Sequence, residues 1–202
     1  MITYNVFFVI KNILFLRFLL IIGSVLFTGC EASNNLATHK NDATVDSNES
    51  ALLNIIAKEE KNNGIPDNML NSIIAVESNH MPYVVNKSGK TYRFKSKENA
   101  ANFIKSSVKE GSKNISVGCS QLHYKTHKRN FASVEDMLEP EKNISYAANL
   151  LKNLRNRYGS WEKATKMYHS SRENYNKAYY KKVMRQYLKT KSKDRKQTTH
   201  SI

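Results

Sequence analysis

Along most of the chain, large apolar residues recur at three- and four-residue intervals, the spacing of one face of an α-helix. Leu52, Leu53, Ile55 and Ile56 open the first stripe. Gly64-Ile65-Pro66 interrupts it, and Pro66 suits the first turn of a second helix carrying Met69, Leu70, Ile73 and Ile74. Ser96 caps a third, with Ala100, Phe103, Ile104 and Val108 on one side and Gly111 at its end. Ser133 with Asp136 makes a short capping signal. The most regular stripe follows, from Ile144 through Ala147, Ala148, Leu151 and Leu154 to Tyr158, closed by Gly159. Ser160 caps a helix with Trp161, Ala164 and Tyr168, and a last amphipathic helix runs through Tyr180, Val183, Met184, Tyr187 and Leu188. The spacing changes between residues 84 and 94, where Lys87-Ser88-Gly89-Lys90 reads as a turn and Tyr92 and Phe94 alternate with Arg93 and Lys95. The pattern predicts a mainly α domain over about residues 51–188 with one small β-hairpin and no internal repeat.

The ends read differently. Residues 1–30 hold Lys11 and Arg17 but no acid, then an apolar run, then Thr28-Gly29-Cys30, the layout of an export signal. Small residues before a cysteine resemble the site at which bacterial lipoproteins are cleaved and lipidated, which makes Cys30 the candidate lipidated residue; Phe27 stands where that pattern prefers Leu. The alternative is an uncleaved anchor over residues 5–28, interrupted by Lys11 and Arg17. Either reading puts the folded part outside the cytoplasm, on the periplasmic face of the envelope, with the membrane as a partner through an N-terminal lipid or signal anchor. Residues 31–50 are rich in Asn, Asp, Ser and Thr and predict a flexible tether; residues 189–202 are basic and polar and predict a disordered tail.

The net charge is +15, and without the two cations of the signal it is +13. An anionic partner is implied. The basic residues are scattered and no nucleic-acid-binding motif is present, so export points to the anionic wall and membrane surface rather than to nucleic acid. Two cysteines give no disulfide framework once Cys30 is set aside, and no Cys/His cluster has metal-ligand spacing, so neither a metal nor another cofactor is expected. A thiol-protease reading of Cys119 with His123 or His127 matches no known spacing; a small buried side chain suits Cys119 better.

Glu77 lies four residues after Ile73 and seven after Leu70, at the end of an apolar stripe. Burying an ionised carboxylate is costly, so such a group tends to hold its proton near neutral pH, the state a general acid needs. By spacing alone it could equally be a helix-end Glu reaching solvent or pairing with a Lys.

The surrounding segments narrow that choice. Ile73-Ile74-Ala75-Val76-Glu77-Ser78 resembles the catalytic Glu-Ser motif of the soluble lytic transglycosylase (SLT) family. Val117-Gly118-Cys119-Ser120-Gln121-Leu122 resembles its Gly-x-Met-Gln segment, and the run from Tyr158-Gly159-Ser160-Trp161 to Ala164 and Tyr168-His169 resembles its Tyr-Gly-x-Trp and Ala-x-x-x-Tyr-Asn. The three stand in the family's order across roughly residues 52–188. Ser120 replaces the usual Met, His169-Ser170-Ser171 replaces Asn-x-Gly, and the stretch from Ser78 to Gly118 is longer than in most relatives.

The resemblance implies a lysozyme-like fold and an enzyme that cuts peptidoglycan glycan strands between N-acetylmuramic acid and N-acetylglucosamine, leaving a 1,6-anhydro end. It gives Glu77 the acid/base role and places Ser78, Gln121, Tyr168 and His169 at the substrate. Tyr168 is expected to bring its hydroxyl near Glu77, and Gln121 to donate to sugar amides. Tyr92, Phe94, Tyr124 and Tyr146 could stack on sugars or fill core. Two alternatives stay open: a hydrolytic muramidase, with Asp136 or Glu139 as second acid, and a wall-binding lipoprotein that holds glycan without cutting it.

Overall fold

The computed structural model describes residues 36–199. Eight helices and four short strands follow in the order α1 (Leu36–Asn63), α2 (Met69–Ser78), β1 (Val84–Lys87), β2 (Lys90–Arg93), α3 (Lys97–Lys109), β3 (Ile115–Val117), β4 (Leu122–His123), α4 (Tyr124–His127), α5 (Val134–Leu138), α6 (Pro140–Tyr158), α7 (Trp161–His169) and α8 (Glu173–Thr199), with a 3-10 turn at Lys128–Asn130. The signal at residues 1–30, with Cys30, lies outside the described residues. Among the described residues no helix is long and apolar enough to cross a membrane.

The local signals act as their chemistry predicts. Ser96, Ser133 and Ser160 each accept a hydrogen bond from the backbone N–H three residues on, at 3.2, 3.0 and 3.2 Å. Gly159 ends α6 in the left-handed region at φ 83°. In the hairpin, Ser88 and Gly89 both take positive φ, which matches the twist of the strands they join.

Three features differ from expectation. The hairpin is half of a four-stranded antiparallel sheet in the order β2-β1-β3-β4. Strands β3 and β4 hold three and two residues, too short to leave an alternating pattern. Helices α1 and α8 extend into the segments whose composition predicts a tether and a disordered tail, reaching out to Leu36 and Thr199. A helix already anchored in a core needs only one more backbone bond per added residue, whatever the polarity of its side chains. The inward face of α8 is also rotated by one residue: Asn176, Tyr179 and Val183 are buried, while Tyr180 is half-exposed and Leu188 exposed.

The core joins Leu70, Ile73 and Ile74 of α2, Ile104 of α3, Leu138 of α5 and Ile144 and Leu151 of α6, all fully buried. Each such side chain contributes about 1.5–3 kcal/mol of hydrophobic stabilisation. Helix α2 is held at its start by a carboxylate from α1. Asn68, the residue before it, caps nothing with its side chain, and the two Glu60 oxygens accept from the Asn68 and Asn71 amides at 2.9 and 3.0 Å. A negative charge there also complements the N-terminal end of the helix dipole.

Between β3 and β4 the chain turns at Gly118, at φ 81°, directly against Asn143 of α6. A Cβ at Gly118 would lie 2.5 Å from the Asn143 amide nitrogen, whereas one at Gly159 meets nothing within 4 Å. Gly118→Ala is therefore expected to cost about 2–4 kcal/mol, from positive φ plus overpacking, and Gly159→Ala only about 1 kcal/mol. Urea unfolding of the two variants measures this, and equal losses would show that the Asn143 contact adds nothing.

Candidate active site

Asn143 is fully buried and uses its whole carboxamide. Its oxygen accepts from the Ser120 amide at 2.9 Å, and its nitrogen donates to the carbonyls of Val117 at 3.2 Å and Met137 at 2.8 Å. The Cys119 thiol also points at that oxygen, 3.4 Å away, and burial pushes the thiol pKa up to about 12. Cys119 is thus an inert core group and not a nucleophile. The Ser120 carbonyl, on the other side of the same turn, accepts from the Tyr168 hydroxyl of α7 at 2.8 Å. The Gly118–Gln121 turn is clasped from two helices.

At its end Gln121 adopts φ 48° and donates its amide nitrogen to the carbonyls of Val84 and Gly118, at 3.1 and 2.8 Å. Both N–H groups are spent on backbone. Gln121 lines the cavity with its N–H groups already committed, so the hydrogen-bonding capacity left to its side chain is that of the carbonyl oxygen, an acceptor, where the sequence reading expected a donor.

Glu77 is the penultimate residue of α2, which ends in the left-handed Asn79 at φ 56°. Its carboxyl is only partly open to solvent, and burial raises its pKa to about 7, against the opposing pull of Tyr179 and the Lys182 cation. The negative end of the α2 dipole acts in the same direction as burial. Tyr179, from α8, turns its hydroxyl toward the Glu77 carboxyl without closing a hydrogen bond of ordinary geometry. Its oxygen is the one buried side-chain oxygen or nitrogen among the described residues that has no partner. His169 stacks flat on the Tyr179 ring, 4.3 Å between centroids and 5° between planes, and burial holds its pKa below the usual histidine value, helped by the Lys182 charge.

Two cavities meet at Glu77 and His169. One, of about 390 Å³, is polar and lies over the sheet side, with Asn86, Ser116, Gln121, His123 and His127 among its walls. The other, of about 270 Å³, lies against α8. Glu77 is the only acid among the residues lining either.

Of the residues singled out from the sequence, Glu77, Gln121, Tyr168 and His169 come together here. Ser78 does not: it is buried, lines neither cavity, and donates to the Ile74 carbonyl at 3.2 Å, because the residue after Glu77 is rotated about 100° around α2, away from the cavities. Tyr168 donates to the Ser120 carbonyl while lining the same cavity as Glu77 and feeling its charge, and Tyr179 of α8 is a second phenol beside that carboxyl. Asp136 and Glu139, the nominal second acids, are tied to Lys142 and Lys97 and line neither cavity. Tyr92 and Phe94 pack on Phe103, while Tyr146 lies against Phe131 and bonds His127. Sequence reasoning missed Asn143, Tyr179 and Lys182. A polar residue inside the apolar stripe of α6 was the one available signal for Asn143; for the other two, the orientation of α8 was needed.

The raised pKa of Glu77 has a stability signature. The folded carboxyl holds its proton more tightly than the unfolded one, so its contribution is full below the unfolded pKa and is lost as pH rises through about 7. Glu77→Gln is expected to leave stability unchanged near pH 4 and to raise it by about 1–3 kcal/mol at pH 8. Thermal unfolding across that range tests it; a constant difference at all pH values would place Glu77 in a solvent-like environment.

A family model described as the transglycosylase SLT domain matches residues 54–191. Comparison with curated proteins and with solved structures found no match. The match spans more than half of the chain and all three segments that build the site, the α2 end, the Gly118–Gln121 turn and α7. With a mainly helical fold carrying a small antiparallel sheet, and a half-desolvated glutamate at the meeting point of two cavities, the chain belongs to the transglycosylase SLT domain family, whose function is of the peptidoglycan lytic transglycosylase type.

Proposed function

We propose that this chain cleaves the β-1,4 bond between N-acetylmuramic acid and N-acetylglucosamine in peptidoglycan, with formation of a 1,6-anhydro-muramic end, from a position outside the cytoplasm and tethered to the membrane at Cys30. The observation that carries the reading is one carboxyl with its pKa near neutrality at the junction of two cavities, with no second acid in either. Protonated Glu77 gives its proton to the bridging oxygen as the C1–O bond breaks. As a carboxylate it then takes the proton of the muramic 6-hydroxyl while that oxygen bonds to C1. The nucleophile belongs to the sugar itself, so no water is activated and no second carboxylate is required, unlike the paired acids of hydrolytic glycosidases. The proton count closes on Glu77, which ends as it began.

The placements of Tyr179 and Gln121 fit this course. The Tyr179 hydroxyl is free to stabilise the carboxylate form of Glu77 between the two proton transfers, and the Gln121 carbonyl can accept from a sugar N-acetyl N–H. The same single-acid geometry weighs against hydrolysis, and the elevated pKa weighs against a pure binder, which has no use for a half-protonated acid.

Digestion of sacculi by the full chain in detergent, with mass spectrometry of the released fragments, is the deciding experiment. The expected products are anhydro-muropeptides, lost at least 10³-fold in Glu77→Gln. Reducing ends would establish the muramidase, and binding without release the non-catalytic lipoprotein. In the active protein, kcat/KM is expected to fall as pH rises through about 7, because the free enzyme must carry the Glu77 proton. Tyr179→Phe removes a group that holds the Glu77 pKa down, so this limb moves to higher pH; a limb that stays in place would detach Tyr179 from Glu77.

A further inference from the structure

The 270 Å³ cavity against α8 has, beside Val76, Glu77 and His169 of the motif segments, a wall built by α8 residues that none of those motifs contains. Tyr175, Ala178, Tyr179 and Lys182 follow one another at three-, four- and seven-residue offsets, so they share one face of α8, and all four line the cavity beside Glu77. Ala178 leaves room between the Tyr175 ring and the Lys182 ammonium. Tyr175 is 59% exposed, an aromatic face turned to solvent at the edge of a concave site. Lys182 takes part in none of the ion pairs among the described residues. The acid nearest in influence is Glu77, whose proton near neutral pH leaves the cation only partly compensated. The Tyr179 hydroxyl is buried in the same wall, makes no hydrogen bond of ordinary geometry and interacts with the Glu77 carboxyl.

A cation outside the ion pairs and an open aromatic face around one small cavity make a receptor for a carboxylate carried on a ring. The groups facing it from the other elements are Val76 and Glu77 of α2 and His169 of α7, and of these only Glu77 can carry a negative charge. Muramic acid bears a lactyl carboxyl that is free in peptide-free strands; in peptide-bearing strands it is an amide, and the peptide supplies carboxylates of its own. We infer that the α8 cavity is a carboxylate-binding subsite in which Lys182 pairs with a carboxylate of the glycan strand next to the scissile bond, with Tyr175 stacking on the adjoining sugar. The inference rests on the glycan-cleaving reading above. It makes Lys182 a specificity-determining residue, and it gives the basic character of this face a defined object.

The test uses the full chain carrying Glu77→Gln, with and without Lys182→Met. Binding is measured to peptide-free strands, to peptide-bearing strands, and to both after their carboxyls have been converted to amides. Lys182→Met is expected to weaken binding about five- to tenfold on strands with free carboxylates and not on amidated ones. Loss on peptide-free strands identifies the lactyl carboxylate, and loss confined to peptide-bearing strands identifies the stem peptide. Equal loss on amidated strands, or none on any, overturns the subsite. Lys182 also acts on Glu77 through space, so the pH profile of the Lys182→Met single variant is taken in parallel: an upward shift common to all strands, without a carboxylate-dependent change in KM, assigns it to tuning the acid alone. Cleavage by the unsubstituted protein keeps the two readings apart. Anhydro ends without carboxylate dependence sink only the subsite, and absence of cleavage sinks the reading beneath it.

Discussion

Asn143 accepts from the Ser120 amide and donates to the carbonyls of Val117 and Met137, so one buried side chain ties helix α6 to the turn after β3 and to the end of α5. These backbone groups have no water to turn to, and each left unpaired would cost about 1–3 kcal/mol. The demands of that one carboxamide spread outward. Gly118 must lack a side chain to let it approach, and Ser120, held by its amide, offers its carbonyl to Tyr168. Gln121 is then left in the left-handed region with both N–H groups on backbone. The segment that resembles the family's Gly-x-Met-Gln motif is rigid because a residue 23 positions away from Ser120 satisfies it.

The acid is set from the other side. Glu60 fastens the start of α2 through two backbone amides, and the buried stripe of Leu70, Ile73 and Ile74 fixes its rotation. Glu77 is thereby carried to the lip of the core, where it is desolvated enough to keep its proton near neutral pH and open enough to give it away. Helix α8 completes the balance by crossing α2 with Tyr179 and Lys182 directed at the carboxyl, both pulling its pKa back down.

Much of the site was legible because its parts are local. Glu77 announced itself as an acid on an apolar stripe, and Gln121, Tyr168 and His169 through short segments whose order matches the family. What they do there was less legible. Ser78 turned inward because one residue along a helix is a turn of about 100°. Tyr168 donates to the Ser120 carbonyl while staying within reach of Glu77, and Tyr179 joins it there, an arrangement that depends on how α7 and α8 lie against α2. Tyr180 looked as good as Tyr179 for the inward face, since several aromatic and aliphatic residues sit side by side there and only packing selects among them.

The sequence by itself determined the main helices, the Ser96, Ser133 and Ser160 caps, the hairpin and the place of Glu77 at the end of an apolar stripe, because capping, turn chemistry and apolar periodicity act over three to seven residues. The tertiary structure alone decided that two short strands extend the hairpin, that Asn143 clasps the Gly118 turn, that Tyr179 joins Tyr168 beside Glu77, and that Lys182 stands at a cavity whose one acid is Glu77. Each of these joins segments far apart in the chain. Their energies come from mutual burial and hydrogen bonding, which exist only once the helices have docked.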